Sequence, residues 1–192
     1  VALSEVAGVI LAAVELHGVL LVHDRDLPSV TAIVAGGPVA GSWWSHPLAN
    51  TIYNALGEVE EQVATVKLVA GKNTLVVQRL WSDLAGLGLG RDPWQLDGLD
   101  RLTLAVLDQI DAAGEPVVLD RSDRRVADRL DRRLLVHPTE LHTSSGNHLK
   151  AHQGWRHWCH ARGITPSSDS GRARGAFESL TPTGTGRRLL PW

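Results

Sequence analysis

Four arginines, Arg121, Arg125, Arg129 and Arg133, recur at intervals of four in the stretch DRSDRRVADRLDRR. An α-helix turns about 100° per residue, so each step of four drifts only about 40° and the four guanidiniums form one stripe. Val126, Leu130 and Leu134 keep the same spacing one residue further round, which directs them to a core. Arg124 and Arg132 flank the stripe. Such a row suits phosphate oxygens and the acceptor edge of guanine, which an arginine can grip with two hydrogen bonds. It also suits a solvated face. Asp128 lies three after Arg125 and four before Arg132, and Asp120 lies four before Arg124; pairs of this kind contribute only about 0.2–0.5 kcal/mol each.

Three further groups of residues carry potential chemistry. Lys72, in Ala-Gly-Lys-Asn at the turn of an expected hairpin, can touch a phosphate or simply solubilise the turn. The segment GSWWSHP (41–47) puts Trp43, Trp44 and His46 between a glycine and a proline. Its rings either staple the helix that begins near Pro47, with Ser45 or His46 as cap, or form a pocket that stacks a base or small ligand. Six of the nine histidines fall between 137 and 160, and His148 and His152 have the spacing that chelates a metal on one helical face. No HExxH or Cys-His pattern accompanies them, so no metal is expected. Nor is there a GxSxG, a GxGxxG after a strand or a GxxxxGK[ST]. No cofactor is expected, and no catalytic residue can be named.

The elements that must position these residues are legible from periodicity. Leu3, Val6, Ile10 and Val14 predict a first helix ending at Gly18, followed by a short strand at 19–22. Pro28 begins a second helix, residues 47–62 a third, and Val66 to Val77 a β-hairpin. A short helix at 79–88 leads into a Gly-, Asp- and Pro-rich linker at 89–98. The second half repeats the pattern: a helix from Leu99 to Ile110, a strand at EPVVL, the arginine helix over 120–133, a hairpin at LLVHPTELHTSSG, and a closing helix from about 147 to 162. The expected fold is α+β, two tandem helix-turn-helix-plus-hairpin (winged-helix) modules at 1–90 and 91–162. The tail at 163–192 lacks a periodic apolar surface and reads as disordered.

Charge is divided along the chain. Residues 1–98 hold ten acids and five bases, 99–162 nine and ten, and 163–192 two and four. The overall balance of −2 excludes a uniformly basic nucleic-acid binder and leaves the basic surface C-terminal. Cys159 is the single cysteine, which excludes an internal disulfide. The apolar opening is interrupted by Glu5, Glu15 and His17 and lacks a basic leader region, so it reads as a buried helix of a cytoplasmic protein without a membrane partner.

The run LPSVTAIVAGGPVAGSWWSHPLANTIYNAL, the hairpin VATVKLVAGKNTLVVQRLW and the stretch RLLVHPTELHTSSGNHLKAHQGW together resemble uncharacterised bacterial relatives of the winged-helix DNA glycosylases of the AlkZ type. The resemblance spans roughly residues 20–160. It implies tandem winged helices, duplex DNA as partner and a place in DNA damage processing. The glycosylases use a Gln-x-Gln pair to handle water at the damaged sugar. Here Gln62, Gln78, Gln95, Gln109 and Gln153 are isolated, so no catalytic residue carries over. The leading expectation is a nucleic-acid-binding protein. The alternatives are a small-molecule-responsive or protein-interaction module on the same scaffold, and a glycosylase-like hydrolase with an unrecognised site.

Overall fold

The Ser4 hydroxyl accepts a hydrogen bond from the Ala7 backbone N–H and starts α1 (Glu5–His17), whose Ala7, Ile10 and Val14 are buried. The computed structural model describes residues 4–142, 148–181 and 188–192. Leu3 of the expected first helix, the last residues of the expected second hairpin (143–146) and residues 182–187 of the expected tail lie outside the described residues. Gly18 ends α1 at φ 76°, and a Cβ there would stand 2.7 Å from the Leu180 side chain. Both the turn and the contact call for glycine.

Next come β1 (Val19–Leu21), α2 (Val30–Ala35), a 3-10 turn at Trp43–Ser45, α3 (Ala49–Val59), β2 (Val63–Lys67) and β3 (Asn73–Val77). The helix expected to open at Pro28 begins two residues later, at Val30, because the Ser29 hydroxyl caps the Ala32 N–H. β3 is the middle strand of an antiparallel sheet ordered β1-β3-β2, with Leu75 opposite Leu20 on one side and Thr65 on the other. Ile52, Ala55 and Val59 of α3 are buried along one side, at the spacing of three and four that an amphipathic helix requires.

The chain divides into two compact units, 1–80 with 177–190, and 81–176 with 191–192. The division falls at Leu80, before the expected boundary at 90, because α4 (Trp81–Gly90) packs with the helix α8 (Trp155–Arg162) of the second unit. α4 also runs through the glycines expected to end it. A Cβ on Gly88 would come within 2.3 Å of the Trp155 indole, and one on Gly86 within 2.4 Å of the Ser167 carbonyl oxygen. These glycines allow close approach rather than a turn.

The rest of the second unit departs from expectation in four places. The presumed linker holds a short helix, α5 (Pro93–Leu96), where the Gln95 side chain accepts from the Asp92 N–H. After α6 (Arg101–Ala112), capped by Asp100, the expected EPVVL strand shrinks to one bridged residue, Val117, paired with His152. The arginine helix is shorter than expected. A 3-10 turn (Arg121–Asp123) precedes α7 (Arg124–Arg132). The segment expected to open the closing helix is instead β5 (His148–Gln153), antiparallel to β4 (His137–His142), so α8 starts only at Trp155. Val106, Leu107, Ile110, Leu130, Leu135 and Val136 form the core.

The tail expected to be disordered carries a helix, α9 (Ser170–Leu180), with Ala173 and Phe177 fully buried. Polar anchors compensate for its sparse apolar face. Asp169 caps the Arg172 N–H, Arg172 bonds Asp83 at 2.6 Å, and Arg174 bonds Asp92. The architecture is therefore α+β with two small antiparallel sheets. No helix among the described residues is long and apolar enough to cross a membrane.

Candidate nucleic-acid interface

α7 owes its orientation to a buried stripe of Ala127, Leu130 and Asp131, with Val126 half-buried beside it. That stripe leaves Arg124, Arg125, Arg129 and Arg132 exposed around a shallow, open groove that also contains Asp128. Arg121 is exposed on the preceding 3-10 turn. Four guanidiniums against one carboxylate leave the groove positive. The arginines are not equivalent. Arg129 bonds Asp100 at 2.9 Å and Arg132 bonds Asp128 at 2.7 Å, both in solvent-exposed pairs that contribute little to stability. Arg121, Arg124 and Arg125 form no ion pair among the described residues.

Arg133 leaves the stripe. Two steps of about 40° from Arg125 rotate it by about 80°, and the helix has ended at Arg132. Its guanidinium donates to the carbonyls of Trp94, Gln95 and Asp97 at 3.2, 2.9 and 2.8 Å, while the Gln95 amide donates to the Arg133 carbonyl at 3.0 Å. This half-buried arginine clamps the C-terminal end of α5, where free carbonyls need donors. Its guanidinium is committed there rather than to the groove.

Beneath α7 lies a polar cluster that the arginine pattern conceals. Asp131 is buried and takes a hydrogen bond from the half-exposed Lys150 ammonium. The buried His152 ring brings Nε2 to 3.2 Å from the other Asp131 oxygen, without the alignment of a hydrogen bond. Burial alone would raise the Asp131 carboxyl, but His152 and Lys150 more than offset it and hold it below the usual range. His137 is buried too, and neither of its ring nitrogens finds a hydrogen-bond partner among the described residues. Burial, with Arg162 adding to it, pushes His137 down to about 3. Trp155 donates its indole N–H to the Leu134 carbonyl at 2.7 Å. That carbonyl belongs to a residue at φ 51°, immediately after the Arg133 cap.

Lys72 is committed inside its own unit. Its ammonium bonds the buried Asp24 carboxylate at 2.8 Å, and the Asp24 oxygens also accept the N–H groups of Asp26 and Leu27. Burial opposes ionisation of Asp24, yet Lys72 and those two backbone donors bring its carboxyl down to about 2. The lysine is the counter-ion of a buried carboxylate.

Trp43 is half-buried and Trp44 exposed. Trp43 stacks on Trp44 at 4.1 Å between centroids and 27° between planes, and Trp44 leans on Tyr53 of α3 at 5.5 Å. Trp44 is 58% exposed. Its lean on Tyr53 is a staple of limited burial. The expected cap by Ser45 or His46 is not formed: the N-cap residue of α3 is Leu48, which makes no side-chain cap bond, and the His46 Nδ1 accepts the Leu48 N–H at 3.2 Å, ahead of the helix.

No family model, no curated protein and no solved structure matches the chain.

The i, i+4 spacing of His148 and His152 does not fall on a helix, since both belong to β5. Among the described residues no group of three or more His, Cys, Asp or Glu is arranged to hold a metal. Asp131 was the residue most open to earlier recognition. It falls four after Ala127 and three before Leu134, within the core stripe, where a carboxylate demands partners. His137 and His152 gave no comparable signal, because their burial depends on the β4–β5 pairing.

Proposed function

We propose that the chain is a winged-helix protein that binds duplex nucleic acid through the exposed face of α7. The observation that carries this reading is the pair Arg124 and Arg125, exposed at the first turn of a helix and held by no carboxylate among the described residues. Topology supports it. The first unit runs α1, β1, α2, α3, β2, β3 with sheet order β1-β3-β2, the order of a winged helix. The second unit reads as an abbreviated version, in which Val117 takes the place of the first strand and pairs with β5. In that arrangement α7 occupies the position of the recognition helix, whose N-terminal residues contact base edges in helix-turn-helix proteins. This step is fold analogy, and the chemistry rests on the arginines.

The corresponding helix of the first unit, α3, carries neither lysine nor arginine, which assigns the contact to the second unit. Arg121, Arg129 and Arg132 extend the surface, since exposed pairs such as Arg129–Asp100 exchange a carboxylate for a phosphate at small cost. Arg133 and Lys72 are excluded from it. A role in DNA damage processing rests on the sequence resemblance alone, and no Gln-x-Gln pair carries a glycosylase activity over with it. A second reading, a ligand-responsive module, is favoured by the Trp43–Trp44–Tyr53 ring cluster, of which Trp44 and Tyr53 are exposed. Fluorescence anisotropy of a labelled duplex at low salt tests the proposal. The wild-type chain is expected to bind, and Arg124→Ala/Arg125→Ala to bind at least tenfold more weakly at an unchanged melting temperature. No duplex binding by the folded wild-type chain excludes it.

A further inference from the structure

Asp100 serves two helices at once. One carboxylate oxygen accepts the Thr103 N–H at 2.8 Å and caps α6, while the other accepts the Arg129 guanidinium of α7 at 2.9 Å. Arg129 lines the positive groove together with Arg124 and Arg125. A phosphate that reaches Arg129 therefore meets a carboxylate already in place. That carboxylate is fixed, because the cap holds Asp100 at the first turn of α6 with or without Arg129. It is also charged near neutral pH: the Thr103 N–H above all, with Arg129 adding to it, keeps the carboxyl below its usual value. Both partners are exposed, so a ligand can reach the pair. Asp128, the other carboxylate at the groove, bonds Arg132 one turn along the same helix. Asp100 alone reaches the groove arginines from a different helix.

We propose that Asp100 is a built-in competitor of the phosphate backbone, holding Arg129 in the free protein and releasing it only to a phosphate. The competition presupposes the α7 interface and concerns its regulation. Once Arg129 has passed to a phosphate, Asp100 keeps its cap but has no cation. It then repels the backbone and draws a counterion from solution. That uptake offsets part of the counterion release that drives duplex binding. Affinity and its salt dependence are both smaller than the arginines alone would give. Asp100→Asn separates the two tasks of the residue. Asparagine caps a helix as well as aspartate does. With its single oxygen on the Thr103 N–H, its amide nitrogen faces the guanidinium, donor against donor. The cap survives and the pair is lost.

The test is anisotropy of a labelled duplex across a salt series with the wild-type chain, Asp100→Asn, Arg129→Ala and the double variant. Asp100→Asn is expected to bind about two- to fivefold more tightly, the range of one exposed ion pair, with a steeper salt slope. Its melting temperature is expected to stay unchanged. Asp100→Ser, a second neutral cap too short to hold Arg129, is expected to behave alike. On the Arg129→Ala background most of the gain is expected to vanish. Asp108→Asn, which removes an equal exposed charge about two turns along α6, is expected to gain less. Equal affinity of Asp100→Asn and the wild-type chain overturns the competitor and leaves the α7 interface standing. So does a gain that persists without Arg129, or one that Asp108→Asn matches. No duplex binding by the wild-type chain and Asp100→Asn alike removes the interface itself, and the competitor with it.

Discussion

The His137 imidazole lies nearly parallel to the Trp158 indole, 4.9 Å between centroids and 19° between planes, and stands edge-on to Trp155 at 5.3 Å. A ring buried this way resists protonation. Arg162 and His152 oppose its charge further, and Asp131 favours it without prevailing. In the unfolded chain the same histidine protonates near 6.5. The unfolded state thus binds more protons between that value and about 3, and the folded state loses stability as pH falls through this window. The loss is at most about 1.4 kcal/mol per pH unit from one proton. Urea unfolding at pH 7.5 and 4.5 is expected to show a drop that His137→Phe reduces by about 2–3 kcal/mol. Asp24, at about 2, stays ionised across this range and does not contribute. An equal drop in both proteins contradicts the burial of a neutral ring.

Removing the partner of a buried carboxylate is costly. Lys72→Ala deprives Asp24 of the ammonium that bonds it, and is expected to destabilise the chain by about 1–3 kcal/mol. The half-exposed lysine places the effect toward the lower end. Sign follows from the depressed carboxyl: the stabilisation is present above its ordinary value of 3.8 and disappears as pH falls toward about 2. Duplex affinity is expected to stay unchanged, which separates this role from that of a wing-tip phosphate contact. Chemical denaturation and anisotropy on the same protein decide it.

What the sequence revealed, and what it concealed, follows from the range of the interactions. α1, α3 and the β2–β3 hairpin depend on local periodicity and on caps such as Ser4, so they were legible within about three residues. The boundary at Leu80 was not, because it depends on α4 packing with a helix some seventy residues later. Gly86 and Gly88 looked like a helix stop for the same reason: their purpose is the approach of Ser167 and Trp155. α9 escaped because its anchors are ion pairs from Arg172 and Arg174 to distant aspartates rather than an apolar face. In the candidate site, the exposed arginines were readable from spacing. The loss of Arg133 to the α5 carbonyls was not, since the helical stripe takes no account of where the helix ends.

Arg133 supplies an internal contrast with its neighbours. Three carbonyl contacts from one guanidinium hold α5 to the end of α7. Arg133→Ala is expected to lower stability by about 2–3 kcal/mol, as loss of hydrogen bonds from a charged donor does. The salt dependence of duplex binding is expected to remain as in the wild-type chain. A stability change under about 0.5 kcal/mol, the usual range for surface substitutions, contradicts the clamp.

The most direct measurement is the slope of log affinity against log salt for duplex binding by the wild-type chain and by Arg124→Ala/Arg125→Ala. Each phosphate contact contributes about −0.9 to that slope through counterion release. Two lost contacts are expected to flatten it by about 1.8 while the melting temperature holds. An unchanged slope in the folded double variant, or no measurable binding by the wild-type chain at low salt, contradicts a nucleic-acid interface on α7.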